Sequence, residues 1–117
     1  MNWKTITSEA DLKEIVELSK SKACMIYKHS TRCTMSEMMK FVLEDEWNFD
    51  EEDIQPYYLD ILAHKPLAAK IADDFQVYHQ SPQVLLIQNG ECTYDEDHRD
   101  ISVEELREHL EDNVWNY

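Results

Sequence analysis

Residues 23–36 read Ala23-Cys-Met-Ile-Tyr-Lys-His-Ser-Thr-Arg-Cys-Thr-Met-Ser36, and the change of pattern inside this stretch decides the fold. Ala23 to Lys28 is a short apolar run with the length of a buried strand. His29 to Arg32 reads as a polar turn. From Cys33 onward the apolar residues change period, and Met35, Met38, Met39, Val42 and Leu43 fall on one stripe of a helix. A strand therefore passes through a tight turn into a helix, with a cysteine at the junction.

A cysteine in that place has distinctive chemistry. The first helical turn carries N–H groups without intrahelical partners and a partial positive charge. Both favour the thiolate, which is the nucleophilic form. Arg32 directly before it, with Lys28 and His29 close by, adds positive potential. Ser36 completes a Cys-x-x-Ser pattern. Its hydroxyl is expected to donate to the Cys33 thiolate, but it cannot close a disulfide. A lone thiol that attacks a disulfide stops at the mixed disulfide until another thiol arrives. The pattern thus points to exchange with a small thiol rather than to dithiol reduction. The plainer alternative is a structural cysteine that happens to start a helix.

Working outward, Trp3 to Ile6 reads as a short first strand. Ser8 with Asp11 resembles a capping box, and Leu12, Ile15 and Val16 continue a helix to about Lys20. Beyond the cysteine helix, the acidic residues 50–53 mark a loop. Ile54 to Ile61 reads as a strand interrupted early by Pro56. Pro66 opens a helix whose apolar face is Leu67, Ile71, Ala72 and Phe75. Gln83 to Gln88 is a strong strand, Asn89-Gly90 a hairpin turn, and Glu91 to Asp95 the return strand. Ser102 to Glu105 caps a last helix running through Leu106 and Leu110.

The resulting order is β-α-β-α-β-α-β-β-α. Helices between strands imply parallel pairs, and the terminal hairpin implies an antiparallel edge. This is the layout of a single α/β domain over residues 1–117, thioredoxin-like, with a central mixed sheet and helices on both faces. In such a layout a cis-proline opens the strand before the hairpin and faces the active cysteine. The Ser81–Pro82 bond is therefore expected to be cis, with Ser81 offering backbone groups to a bound substrate.

Composition narrows the partners. The chain has 25 Asp plus Glu against 11 Lys plus Arg, a net charge of −14. Such a surface repels phosphate backbones and anionic headgroups, so neither nucleic acid nor membrane is an expected partner. No long apolar run marks a leader or a membrane span, and the expected location is the cytoplasm. The odd number of cysteines, three, fits thiols in a reducing compartment better than a disulfide scaffold.

Two segments carry a more specific likeness. Lys28 to Ser36, and His79-Gln-Ser-Pro-Gln-Val-Leu-Leu-Ile-Gln-Asn-Gly-Glu91, resemble the active-site segments of the YtxJ-like family, the monothiol bacilliredoxins of the bacillithiol system. The likeness runs from Trp3 to about Leu110. It implies a thioredoxin fold and a monothiol oxidoreductase that removes bacillithiol from S-bacillithiolated proteins. Cys33 would take over the bacillithiol, free bacillithiol would regenerate it, and a bacillithiol disulfide reductase would close the cycle. Bacillithiol is then a co-substrate, with no tightly bound cofactor and no metal. Cys33 and Ser36 would be catalytic, and Arg32, Thr34, Ser81 and Pro82 would meet the substrate. Bacillithiol carries a malate group, whose carboxylates Arg32, Lys28 or His29 would face. Members often carry proline after the cysteine; Thr34 here adds an N–H and a hydroxyl near the sulfur.

Two other readings compete. One is a monothiol glutaredoxin-like protein ligating an iron–sulfur cluster through Cys33, against which stands the absence of a Gly-Phe pair between cysteine and serine. The other is a non-catalytic binding module. Of the remaining residues, Cys24 reads as core, and Cys92 as an exposed edge-hairpin thiol with a conceivable resolving role. Asp50 to Asp53 and Asp95 to His98 lack metal-site spacing. The methionine stripe reads as core, with Met35 near the entrance to Cys33. Trp47, Trp115, Tyr57 and Tyr58 read as packing residues, and His109 faces no evident partner.

Overall fold

The computed structural model describes residues 1–112. Its elements are β1 (Lys4–Thr5), α1 (Glu9–Leu18), β2 (Ala23–His29), α2 (Thr34–Glu46), β3 (Ile54–Asp60), α3 (Lys65–Phe75), β4 (Gln83–Gln88), β5 (Glu91–Asp97) and α4 (Val103–Asp112), with a 3₁₀ turn at His98–Asp100. The expected order holds. Boundaries move by a residue or two: the first strand is shorter, α1 ends at Leu18 and β3 at Asp60, β5 is two residues longer, and His29 belongs to the strand rather than to the turn.

The five strands lie in the order β1-β3-β2-β4-β5. β1 and β2 run parallel to β3, whereas β4 is antiparallel to both β2 and β5. The rule that an intervening helix makes a parallel pair therefore fails for α3. Asp60 and Gln83 sit beside His29 and Lys28 respectively, at the same end of the sheet. Residues 76–82 carry the chain back to the end from which β3 left, so β4 enters in reverse.

β2 is buried at every residue because both faces are covered. Its side chains alternate between two cores. Cys24 and Ile26 point to one, with Leu12 and Ile15 of α1 and Leu67, Ala68 and Ile71 of α3. Met25 and Tyr27 point to the other, with Met39 and Leu43 of α2 and Val103 and Leu106 of α4. Each fully buried Leu or Ile contributes roughly 1.5–3 kcal/mol. The methionine stripe is only partly core. Met39 is buried, but Met38 is 45% exposed, because its part of α2 turns away from the sheet.

Local chemistry fixes the ends of the elements. Ser8 and Asp11 form the full capping box: Ser8 Oγ accepts from the Asp11 N–H, and Asp11 Oδ2 accepts from the Ser8 N–H. The Asp11 carboxylate also accepts from the Thr7 N–H, and these bonds hold it below the usual carboxylate range. Ser102 accepts from the Glu105 N–H at 3.3 Å. Asn89 and Gly90 take φ of 53° and 80°, as a tight hairpin turn requires. β3 runs on through Pro56, because β1 pairs only from Tyr57 onward and leaves that edge open. Trp47 and Phe49 stack edge-on beside the second core. Tyr57 lies in the first core and Tyr58 against the second, as packing residues should. His109, expected to lack a partner, stacks on Tyr94 with ring centroids 3.9 Å apart. Trp115 lies outside the described residues.

Candidate active site

The junction between β2 and α2 forms at the end of the sheet where β2 stops. Cys33 is the N-cap of α2, with extended φ and ψ of −110° and 114°. Its N–H donates to the Ser30 carbonyl at 3.2 Å, closing the turn, and its carbonyl accepts the first helical bond from the Glu37 N–H at 3.1 Å. The sulfur caps no backbone N–H and is partly exposed. Arg32 and Thr34, on either side, are both exposed.

Cysteine is a poor N-cap, and the turn is held from below by Ser36 instead. Ser36 is fully buried. Its Oγ accepts from the Ser30 N–H at 3.0 Å and lies 2.8 Å from His29 Nδ1. His29 Nε2 lies 3.0 Å from Glu37 Oε1. A carboxylate can only accept, so neutral His29 carries its proton on Nε2 and its Nδ1 takes the Ser36 hydroxyl proton. Tyr27 donates to the Ser36 carbonyl at 2.7 Å, and burial pushes its phenol up to about 12. This corrects the sequence reading of Ser36. No hydrogen bond joins it to Cys33, because the side chain is turned inward to the Ser30 N–H and His29 Nδ1.

Lys28 also departs from expectation. Alternation along β2 sends it to the opposite face from His29, and it is fully buried. Its Nζ lies 3.3 Å from His79 Nδ1. Burial lowers its pKa to about 8, with Cys92 and Asp95 pulling the other way. Burial and then the Lys28 charge hold His79 below the usual histidine value. Lys28 is thus no surface cation for a substrate carboxylate; it ties residue 79 of the segment before β4 to the sheet.

The Ser81–Pro82 peptide is cis, as expected. Register brings it to the site: Gln83 pairs with Lys28, which places Pro82 at the sheet end where β2 leads into Cys33. The Pro82 carbonyl accepts from the His98 N–H at 2.9 Å, and Gln83 Nε2 donates to the Tyr78 carbonyl at 2.9 Å. The Ser81 hydroxyl is buried without a partner.

The other thiols lie elsewhere. Cys24 pairs with Ile87 near the far end of β2, and Cys92 pairs with that same Ile87. Cys24 is fully buried, and burial pushes its thiol up to about 12. Cys92, expected to be exposed, packs against the first core, and burial raises it to about 11. Its Sγ donates to the Tyr94 carbonyl at 3.3 Å. Among the described residues, the end of the sheet where β2 leads into α2 therefore holds one thiol, Cys33.

That arrangement matches known proteins. Residues 4–106 match the family described as monothiol bacilliredoxin BrxC. The chain belongs to the monothiol bacilliredoxin family. Among solved structures it is similar to a candidate oxidoreductase with a thioredoxin fold, at 28% identity, TM-score 0.72 and 92% coverage of each chain. It also superimposes on thioredoxin from Malassezia sympodialis, at 15% identity, TM-score 0.74, 95% of this chain and 90% of that one. A mutant thioredoxin from Halobacterium salinarum NRC-1 matches at 16% identity, TM-score 0.71, 95% of this chain and 89% of that one. These two share the fold. Family and fold together make thiol redox chemistry the activity class. Among the described residues no helix is long and apolar enough to cross a membrane.

Sequence reasoning missed the Ser36–His29–Glu37 chain of hydrogen bonds. A signal for it exists: a histidine ending a strand, with serine and glutamate on the first turn of the helix that folds back over it.

Proposed function

We propose that the chain is a monothiol carrier that lifts bacillithiol, or a similar small thiol, from protein mixed disulfides through Cys33. The Cys33 thiolate attacks the small-thiol sulfur of the mixed disulfide. The S–S bond to the protein cysteine breaks, the released protein thiolate takes a proton from water, and a disulfide forms between Cys33 and bacillithiol. Free bacillithiol thiolate then attacks that adduct, releasing bacillithiol disulfide and returning the Cys33 thiolate. A bacillithiol disulfide reductase completes the cycle in a reducing compartment such as the cytoplasm. The observation that carries this reading is the separation of the thiols: Cys33 stands alone and partly exposed at the helix start, while Cys24, buried, and Cys92, partly buried against the first core, lie at the far end.

Around Cys33, Arg32 is the exposed cation placed to meet substrate carboxylates. Thr34 offers a hydroxyl beside the sulfur, and Ser81 and Pro82 form the opposing ledge. In the test, a bacillithiolated protein is incubated with this chain and excess bacillithiol, and intact masses are followed. The substrate loses one bacillithiol mass with the wild type and keeps it with Cys33→Ser. Equal loss with both proteins would refute the proposal.

A further inference from the structure

β2 runs between β3 and β4, so the Cys33 turn has two flanks. Ser81 and Pro82 lead into β4 on one of them. On the β3 flank lies a cavity of about 410 Å3, within the roughly 300–1,000 Å3 of small-ligand sites. Two of its residues tie it to the active turn. Thr31 lines it and precedes Cys33 by two residues, so their Cα atoms lie within about 7 Å of each other. Glu37 lines it too, and its N–H donates to the Cys33 carbonyl at 3.1 Å. A body of several heavy atoms hung on the Cys33 sulfur spans such a distance.

The lining sets the class of ligand. Two carboxylates, Glu37 and Asp60, stand against one ammonium, Lys40, so a polyanion is disfavoured. Asp60 Oδ1 accepts from the Leu62 and Ala63 N–H groups at 3.1 and 3.3 Å, while Oδ2 has no partner among the described residues. His64 is the N-cap of α3, yet its side chain makes no capping bond. The wall thus offers a carboxylate oxygen and a ring nitrogen that the fold does not use. Lys40 is anchored by Glu44 at 3.3 Å and by the rings of Trp3 and Tyr58, whose centroids lie 5.7 and 5.8 Å from its Nζ. Tyr58 also adds an aromatic ring to the lining. Unused polar groups beside a ring, with carboxylates in excess, suit hydroxyls and an ammonium rather than carboxylates.

We propose that this cavity holds the hydroxyl- and amine-bearing body of the small thiol while its sulfur exchanges at Cys33. Bacillithiol has such a body, a cysteinyl amino sugar, beside its malate carboxylates. Arg32, exposed next to Cys33, is left for the carboxylates. The two flanks then divide the mixed disulfide, with the small thiol on the β3 side and the protein on the β4 side at Ser81 and Pro82. Asp60 and His64 become the residues that select the small thiol. The inference rests on the proposed function, whose nucleophile it shares.

The test has two arms. In the first, S-methylbacillithiol, which cannot exchange, is titrated into the isotope-labelled protein. Amide shifts should gather on Thr31, Glu37, Lys40 and His64, and shrink in Asp60→Asn. Shifts gathered elsewhere, or none at about 10 mM, where a millimolar site is filled, would overturn the proposal. In the second arm, Cys33 reacts with bacillithiol disulfide or with hydroxyethyl disulfide, which lacks the amino sugar, and the adduct is timed by intact mass. The preference for bacillithiol disulfide should fall about tenfold in Asp60→Asn and about threefold in His64→Ala, the sizes of a charged and a neutral hydrogen bond. Asp60→Asn keeps an Oδ1 acceptor for the Leu62 and Ala63 N–H groups, so the loop stays capped. A wild type without this preference, or variants that retain it in full, would also overturn the proposal. The binding arm needs no exchange, so failure of the cavity is separable from failure of the transfer reaction.

Discussion

The two ends of the sheet hold the same functional group in opposite circumstances. At one end Cys33 sits on a helix start, partly open, with the chain turning away beneath it. At the other, Cys24 and Cys92 lie beside the same residue of β4, Cys24 within the first core and Cys92 partly buried against it, with burial raising them to about 12 and about 11. The difference teaches that reactivity here is a property of position in the fold. It also fits the proposed one-thiol cycle, since Cys24 and Cys92 both sit beside Ile87, away from the end of β2 that leads into Cys33.

The comparison breaks most plainly under substitution. Cys33→Ser should abolish transfer of the small thiol, while Cys24→Ala and Cys92→Ala should each keep the wild-type rate within about twofold, because neither thiol takes part. Stopped-flow exchange on folded variants checks this; a large loss in Cys92→Ala would restore its resolving role.

Native alkylation sharpens it. A thiol raised to about 11 is roughly one part in a thousand thiolate at pH 8. Peptide mapping should then show Cys33 labelled first, with Cys92 and Cys24 labelled more than a hundredfold slower until denaturant is added.

Stability distinguishes the two faces at the Cys33 end of the sheet. Ser36→Ala strands the Ser30 N–H and the inner nitrogen of His29, and should cost about 1–3 kcal/mol in urea unfolding. On the other face Lys28 is a buried cation with a histidine as its partner, so Lys28→Met should be neutral or stabilising. The sign is fixed by linkage. Folding lowers the Lys28 pKa from 10.5 to about 8, so the unfolded chain binds more protons between those values. The advantage of Lys28→Met is full below pH 8 and fades as pH rises toward 10.5. An advantage that grows across that window would contradict the burial account.

The smallest effect is at the hairpin. Gly90→Ala meets only an ordinary contact with Val16 at 3.8 Å, so the φ of 80° alone should cost about 1 kcal/mol.

Much of this was legible in the sequence for physical reasons. The period change at Cys33 marks a strand-to-helix junction because the two periods differ, and Asn89-Gly90 fixes the hairpin because few residues accept positive φ. The cis Ser81–Pro82 bond followed from layout. The last two residues of β2 were less legible. Counting from Tyr27 sends Lys28 and His29 to opposite faces, but the polar character of His29 reads as the start of the turn. The Ser36 network was invisible for a different reason. Its partners lie seven and eight residues apart across a turn whose geometry no local pattern specifies. The antiparallel entry of β4 was equally non-local, since it depends on where residues 76–82 return.

The central claim is that Cys33 alone accepts the small thiol and then stops. Its most direct measurement mixes this chain with an equimolar bacillithiolated protein in the absence of free bacillithiol, quenches with acid, and maps the adduct by peptide mass. The account predicts one bacillithiol on the Cys33 peptide, stable until bacillithiol is added. A disulfide from Cys33 to Cys24 or Cys92, or an adduct on either of those instead, would contradict it.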